Sequence, residues 1–263
     1  MRDIRIPRRI LLTNDDGIDA PGLAVLEEIA RSFTDDVWVV APSQDRSGIS
    51  HALSLHDPLR IRQLGPRRFS VTGTPGDCVA IAVRQILRES SPDLLLSGVN
   101  QGANLGVETF FSGTVGAAMT AKLLGIPAMA LSQAFADRSS VPWATSRGLA
   151  PDVLSRLLPF MDEEPSCLNV NFPAIAPEHV RGVRLTEQGQ GKLTDVAVLE
   201  REDARGLAYS WLTLVHDASS DRPGTETHAL AQGCISVTPL SFGRTDETLR
   251  RRIESGFGQD VRA

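Results

Sequence analysis

Apolar and polar positions follow two rhythms along this chain. Short unbroken apolar runs, Ile10-Leu11-Leu12, Val37-Trp38-Val39-Val40-Ala41, Leu94-Leu95-Leu96 and Ala128-Met129-Ala130-Leu131, are bounded by turn-forming residues and read as buried strands. Between them the period lengthens. Pro21 starts a stretch in which Leu23, Leu26, Ile29 and Ala30 recur at helical spacing. Residues 76–88 repeat this with Val79, Ala82, Val83 and Ile86, and residues 114–124 are small and apolar enough for a tightly packed helix. Shorter β-type runs lie near 53–62 and 68–72. Strands alternating with helices predict an α/β fold with a mostly parallel sheet, right-handed crossovers and glycine loops at the strand ends.

Beyond residue 133 the rhythm changes. A helix is expected near 145–160, a strand at 168–173, and β-like pieces between Gly turns from 180 to 215, around 183–186 and 209–214. A strand at 234–240 and a charged helix at 246–253 follow. The chain therefore reads as one domain over 1–263: a core of about 9–180 plus the strand near 234–240, a hairpin-bearing extension of about 181–232, and a tail over 241–263.

Composition narrows the function. Lys plus Arg is 27 against 32 for Asp plus Glu, a net charge of −5, which argues against a footprint for polymeric nucleic acid. No apolar stretch approaches transmembrane length, the basic residues 1–9 lead into no signal-type segment, and no membrane partner is expected. Cys78, Cys167 and Cys234 show no C-x-x-C pairing and fit buried thiols in a reducing, cytoplasmic setting.

The candidate chemistry sits in four loops after the expected strands. Asn14-Asp15-Asp16-Gly17 places adjacent carboxylates where open α/β sheets bind ligands. Such a pair needs neutralising, and a hard divalent cation would do it, although the same residues also make a simple polar turn. The second loop carries Arg46, Ser47 and Gly48; the third runs from Ser97 to Gly106 with Asn100 and Asn104. The fourth, Ser112-Gly113-Thr114, opens a helix, where free amides and the helix dipole attract anions, although Ser and Thr are ordinary caps there too. Taken as a set, these loops would put a metal and a phosphate side by side.

The motifs T-N-D-D-G-I (13–18) with A-P-G (20–22), A-P-x-x-x-R-S-G (41–48), G-T-P-x-D-C-V (73–79), S-G-V-N-x-G-x-N-x-G (97–106) and S-G-T-V (112–115) resemble those of the SurE family, the stationary-phase survival proteins that act as metal-dependent 5′-nucleotidases. The likeness resumes at Asn169-Val170-Asn171-Phe172-Pro173 and Ser236-Val237-Thr238-Pro239-Leu240. It implies a Rossmann-like core with helices on both faces, and a hairpin and C-terminal extension used to form a homodimer or homotetramer. It implies hydrolysis of nucleoside 5′-monophosphates by metal-activated water, with one Mg²⁺ or Mn²⁺ per subunit. The implied metal ligands are Asp15, Asp16, Ser47 and Asn100; Asn104, Ser112, Gly113 and Thr114 line the phosphate pocket, and Asp15, Asp16 and Asn104 are the candidate catalytic groups. Ser43, Thr120 and Glu226 depart from the usual pattern, which bears on substrate preference and subunit contacts rather than on the four ligands.

Other readings compete. Asp15 or Asp16 could be the nucleophile of an aspartyl-phosphate phosphatase, although such enzymes usually present Asp-x-Asp. A non-catalytic nucleotide- or metal-binding regulator is a second alternative. A dinucleotide oxidoreductase fits less well, because the first strand leads into N-D-D-G instead of G-x-G-x-x-G. His51 and His56 follow the second loop within reach of a substrate, or serve as surface groups. Phe110 and Phe111 could stack on a base or pack beneath their loop, Trp38 reads as core, and Tyr209 with Trp211 as a hairpin face.

Overall fold

The computed structural model describes residues 7–161, 164–217 and 222–257. Most of the basic segment over 1–9 and the end of the expected tail lie outside the described residues. The framework is a nine-stranded sheet with the order β3-β4-β2-β1-β5-β6-β7-β11-β8. Its strands are β1 (Arg9–Thr13), β2 (Asp36–Pro42), β3 (Ile61–Gly65), β4 (Arg68–Val71), β5 (Leu94–Gln101), β6 (Ala128–Gln133), β7 (Cys167–Phe172), β8 (Val183–Leu185) and β11 (Ile235–Leu240). Only the β3/β4 and β7/β11 pairs are antiparallel, so the sheet is mixed but mostly parallel.

The period-2 alternation of β1 divides the core in two. Ile10 and Leu12 face a cluster shared with α1 (Pro21–Arg31) and α4 (Trp143–Leu157), while Leu11 faces α2 (Pro75–Ile81) and α3 (Gly113–Leu123) on the other side. Helices thus cover both faces, as the apolar runs require of strands buried on both sides. Helix α1 starts on Pro21 and buries Leu23, Leu26, Ile29 and Ala30. A Cβ at Gly22 would lie 1.9 Å from the Val99 carbonyl oxygen, so glycine lets α1 seat on β5. Helix α2 is fixed by a capping box in which Asp77 N donates to Thr74 Oγ1 (3.1 Å) and Thr74 N to Asp77 Oδ2 (2.9 Å). Helix α3 is buried from Gly113 through Ala121, as its small residues suggest.

The chain leaves β1 toward β2 on one side and returns to β5 on the other. The carboxyl ends of β1 and β5 therefore border the crevice where open sheets bind ligands.

Three features differ from the sequence pattern. The Gly/Asn-rich stretch after Ser97 is not all loop: β5 continues through Gln101 after a register shift, and a 3₁₀ turn spans Gly106–Phe110. Strand β8 joins the main sheet beside β11 instead of the extension. A short helix α5 (Glu226–Ala231), capped by Thr225, has no periodic signature. The expected hairpin forms its own two-stranded sheet from β9 (Leu193–Glu202) and β10 (Ala208–His216), and Trp211 and Leu212 are exposed on it. The charged C-terminal helix is α6 (Glu247–Phe257), longer than its sequence pattern indicates. Among the described residues no helix is long and apolar enough to cross a membrane, and all three cysteines are buried and free.

Candidate metal and phosphate site

Three segments that are far apart in sequence converge on the turn that carries Asp15 and Asp16. Its Oδ1 accepts a hydrogen bond from the Thr114 hydroxyl at the start of α3, and its carbonyl accepts from Arg46 N of the loop after β2 (2.8 Å). Its neighbour Asp16 accepts from Gln101 N at the end of β5 through Oδ2 (3.4 Å). The turn that carries both is closed by Asn14 Nδ2 on the Gly17 carbonyl (2.8 Å), and Gly17 has a φ of +102°, a conformation that glycine adopts without strain. The carboxylates, the R-S-G loop, the end of β5 and the S-G-T helix start are thereby brought together.

The packing is equally specific. A Cβ on Gly113 would stand 2.7 Å from Asp15 Cβ and 3.0 Å from its Oδ2, so glycine is what allows the start of α3 to touch the acidic turn. Ser112 caps the helix, with Oγ accepting from Val115 N (3.1 Å). Thr114 is fully buried, and its hydroxyl turns toward the aspartate.

Electrostatics favour a cation. Burial first, then the charge of Asp16, pushes the Asp15 carboxyl up to about 6, against the opposing hydrogen bond from Thr114. Asp16 is also raised, first by burial and then by Asp45, while the Gln101 amide and Arg138 act the other way. No group of three or more His, Cys, Asp or Glu side chains placed to hold a metal occurs among the described residues. Any cation here would rely on two carboxylates supplemented by neutral oxygens. Such oxygens are present: Asn100 donates through Nδ2 to the Gly102 carbonyl (2.8 Å), and its Oδ1 is a neutral oxygen of the kind a cation would need. Thr13 Oγ1 at the end of β1, Asn14 Oδ1 just after it and Ser97 Oγ within β5 are buried without a hydrogen-bond partner. The donor chemistry suits a hard ion such as Mg²⁺ or Mn²⁺.

Two predicted residues are held differently from the rest. Ser47 is exposed, and its hydroxyl donates to Asp45 Oδ1 (2.6 Å), which leaves its lone pairs for a cation. Asn104 is bound to the β6–β7 side: Nδ2 donates to Ser132 Oγ (2.8 Å), N to Asn171 Oδ1 (2.8 Å), and its carbonyl accepts from Asn169 (2.8 Å) and Asn171 (3.1 Å). Asp45, Gln101, Ser132 and the Asn169/Asn171 pair were not read as site residues from sequence. The N-V-N repeat was visible, and its period of two places both amides on one face of β7.

Of the remaining candidates, His56 is exposed, and Phe110 and Phe111 are 40% and 46% exposed, so neither ring packs beneath its loop. Trp38 is half-buried at the edge of the core, stacked on Phe69 with centroids 6.1 Å apart.

Known proteins resemble this chain over most of its length. The family model described as "Survival protein SurE" matches residues 10–195. A Burkholderia lata protein named 5′-nucleotidase SurE 1 is 53% identical over 250 residues, covering 95% of this chain and 96% of that protein. A 5′-nucleotidase SurE of Bradyrhizobium diazoefficiens is 49% identical, with 93% and 98% covered. The crystal structure of the SurE protein from Aquifex aeolicus superposes with a TM-score of 0.79 at 34% identity, covering 95% of this chain and all of that one.

Proposed function

Because this chain belongs to the SurE family, we propose that it is a metal-dependent phosphomonoesterase that hydrolyses nucleoside 5′-monophosphates to nucleoside and phosphate. The observation that carries this reading is the direct contact of Asp15 with Gly113 and Thr114, which sets an acidic pair against an anion-binding helix start. Asp15, Asp16, Ser47 and Asn100 would hold one Mg²⁺ or Mn²⁺ per subunit. When bound, such an ion neutralises charge on a phosphoryl group and lowers the pKa of water to the neutral range.

The chain's own groups do the rest. Backbone amides at the start of α3 stabilise the phosphoryl oxygens, and Ser112 and Thr114 fix that helix start. Asn104, pinned by Asn169 and Asn171, would line the phosphate pocket. The buried Asp15, held by Thr114, suits a ligand better than a nucleophile, whereas Asp16 is the better placed to orient or accept the proton of the attacking water. The exposed apolar side chains of the β9–β10 hairpin, Val198, Trp211 and Leu212 among them, support assembly into a homodimer or homotetramer.

The test is phosphate release from a panel of nucleoside monophosphates with Mg²⁺, Mn²⁺ or chelator. Activity is expected with metal and not with chelator, and Asp16→Asn should abolish it while leaving the far-ultraviolet circular dichroism unchanged. Full turnover by Asp16→Asn with Mn²⁺ would overturn the assignment.

A further inference from the structure

Next to the helix start lies a cavity of about 180 Å³, lined by His51, Thr109, Phe110, Met119, Phe242 and Arg244 among others. Helix α3 fixes its distance from the acidic pair. Gly113 faces Asp15, and Gly116, three residues further on the same helix face, lies against the loop that carries His51: a Cβ there would meet the Ser50 carbonyl oxygen at 2.5 Å and His51 Cα at 3.2 Å. His51 is therefore offset from Asp15 by about one helical turn, roughly 5 Å along the axis. A nucleoside monophosphate whose phosphate sits at the start of α3 carries its sugar and base over such a distance.

The cavity wall has the chemistry for a base. The Phe110 ring remains 40% exposed, and the Arg244 guanidinium lies 4.7 Å from its centroid. The backbone that carries the ring is fixed because Ser50 donates its hydroxyl to the Phe110 carbonyl and its N–H to the Phe111 carbonyl (3.0 Å). His51 Nδ1 is buried and has no hydrogen-bond partner. Burial and the charge of Arg244 lower the His51 pKa, which keeps the imidazole neutral at pH 7.

We propose that this cavity is the nucleoside subsite, in which Phe110, backed by Arg244, stacks on the base and His51 Nδ1 hydrogen-bonds a polar group of the base or sugar. The inference rests on the monophosphatase reading and adds the part of the substrate that the metal and phosphate groups do not recognise. Aromatic stacking on a base is worth about 1–3 kcal/mol, which corresponds to about a 5- to 150-fold effect on affinity.

The experiment compares AMP with 2-glycerophosphate, a monoester without a base. In Phe110→Ala the ratio of kcat/KM for AMP to that for 2-glycerophosphate should fall about tenfold, mainly through KM. Phe110→Trp should restore the ratio, and His51→Ala should lower it. Adenosine, which lacks phosphate, should bind wild type by saturation-transfer NMR and fail to bind Phe110→Ala. Equal losses for both monoesters in Phe110→Ala, no rescue by tryptophan, or no adenosine binding to wild type would each overturn the subsite. If wild type hydrolyses neither monoester, the phosphatase reading fails, and the adenosine measurement still decides whether the cavity takes a nucleoside.

Discussion

Replacing Gly113 by alanine tests whether the two halves of the site are held together by packing. The added Cβ would lie 2.7 Å from Asp15 Cβ, 3.0 Å from Asp15 Oδ2 and 3.1 Å from Pro75 Cγ. Carbon atoms pack at about 3.5–4.0 Å, so the aspartate or the helix start must retreat by about 1 Å. Overpacking of this kind costs about 1–3 kcal/mol, only partly offset by the better helix propensity of alanine. A displacement of about 1 Å at a reacting centre lowers turnover by about 100-fold. Gly113→Ala should therefore lose about two orders of magnitude in kcat/KM for AMP with Mn²⁺ and melt several degrees lower, with unchanged circular dichroism. Turnover within about threefold of wild type and an unchanged melting temperature would show that the contact sets neither geometry nor stability.

Other predictions follow from the same contacts. Asp15 is protonated more readily in the folded chain, at about 6, than when unfolded, at 3.8. Its contribution to the stability of the metal-free protein is thus complete below about pH 4 and is lost as pH rises to about 6, a change of about 3 kcal/mol. The difference in denaturation free energy between wild type and Asp15→Asn, measured with chelator across pH 4–7, should show that slope, and a difference that rises with pH would refute the sign. Thr114→Val removes the hydroxyl that favours the charged form of Asp15, so the carboxylate resonance in NMR should titrate at higher pH than in wild type; a downward shift would contradict the assigned bond. Asn171→Ala strips the Asn104 amide of its acceptor and should cost about 1–3 kcal/mol in urea denaturation, together with a loss of kcat/KM. An Asn171→Ala variant as stable and active as wild type would remove Asn171 from the support of Asn104.

The elements that position the site were legible wherever burial imposed a period. Continuous apolar runs marked β1, β2 and β6 because both faces of these strands are covered, and α1 declared itself by Pro21 and its apolar spacing. Strand β5 was read too short because its end is made of Gly and Asn, residues that signal turns when neighbouring strands are out of view. Helix α5, six residues long, and the exposed hairpin carry no one-sided apolar pattern to read. At the site, the individual loops were visible as motifs. The bonds joining them span 99 residues from Asp15 to Thr114 and 67 from Asn104 to Asn171, and they exist only once strand order and register are set. Asp45 and Gln101 escape sequence reading for the same reason: one accepts from the Ser47 hydroxyl, and the other meets Asp16 through its backbone amide.

The bare Cα of Gly113 against Asp15 works as a gauge block. The spacing between the Asp15 carboxylate and the amides of α3 is set by the bare backbone of Gly113 lying against the Asp15 side chain, with no second side chain in between. A site built this way arrives at its working dimension when the sheet folds, before any ligand binds. Selection for new substrates would then find little room in this contact and more in the walls around it, at positions such as Phe110 and Arg244, where a change of side chain leaves the gauge untouched.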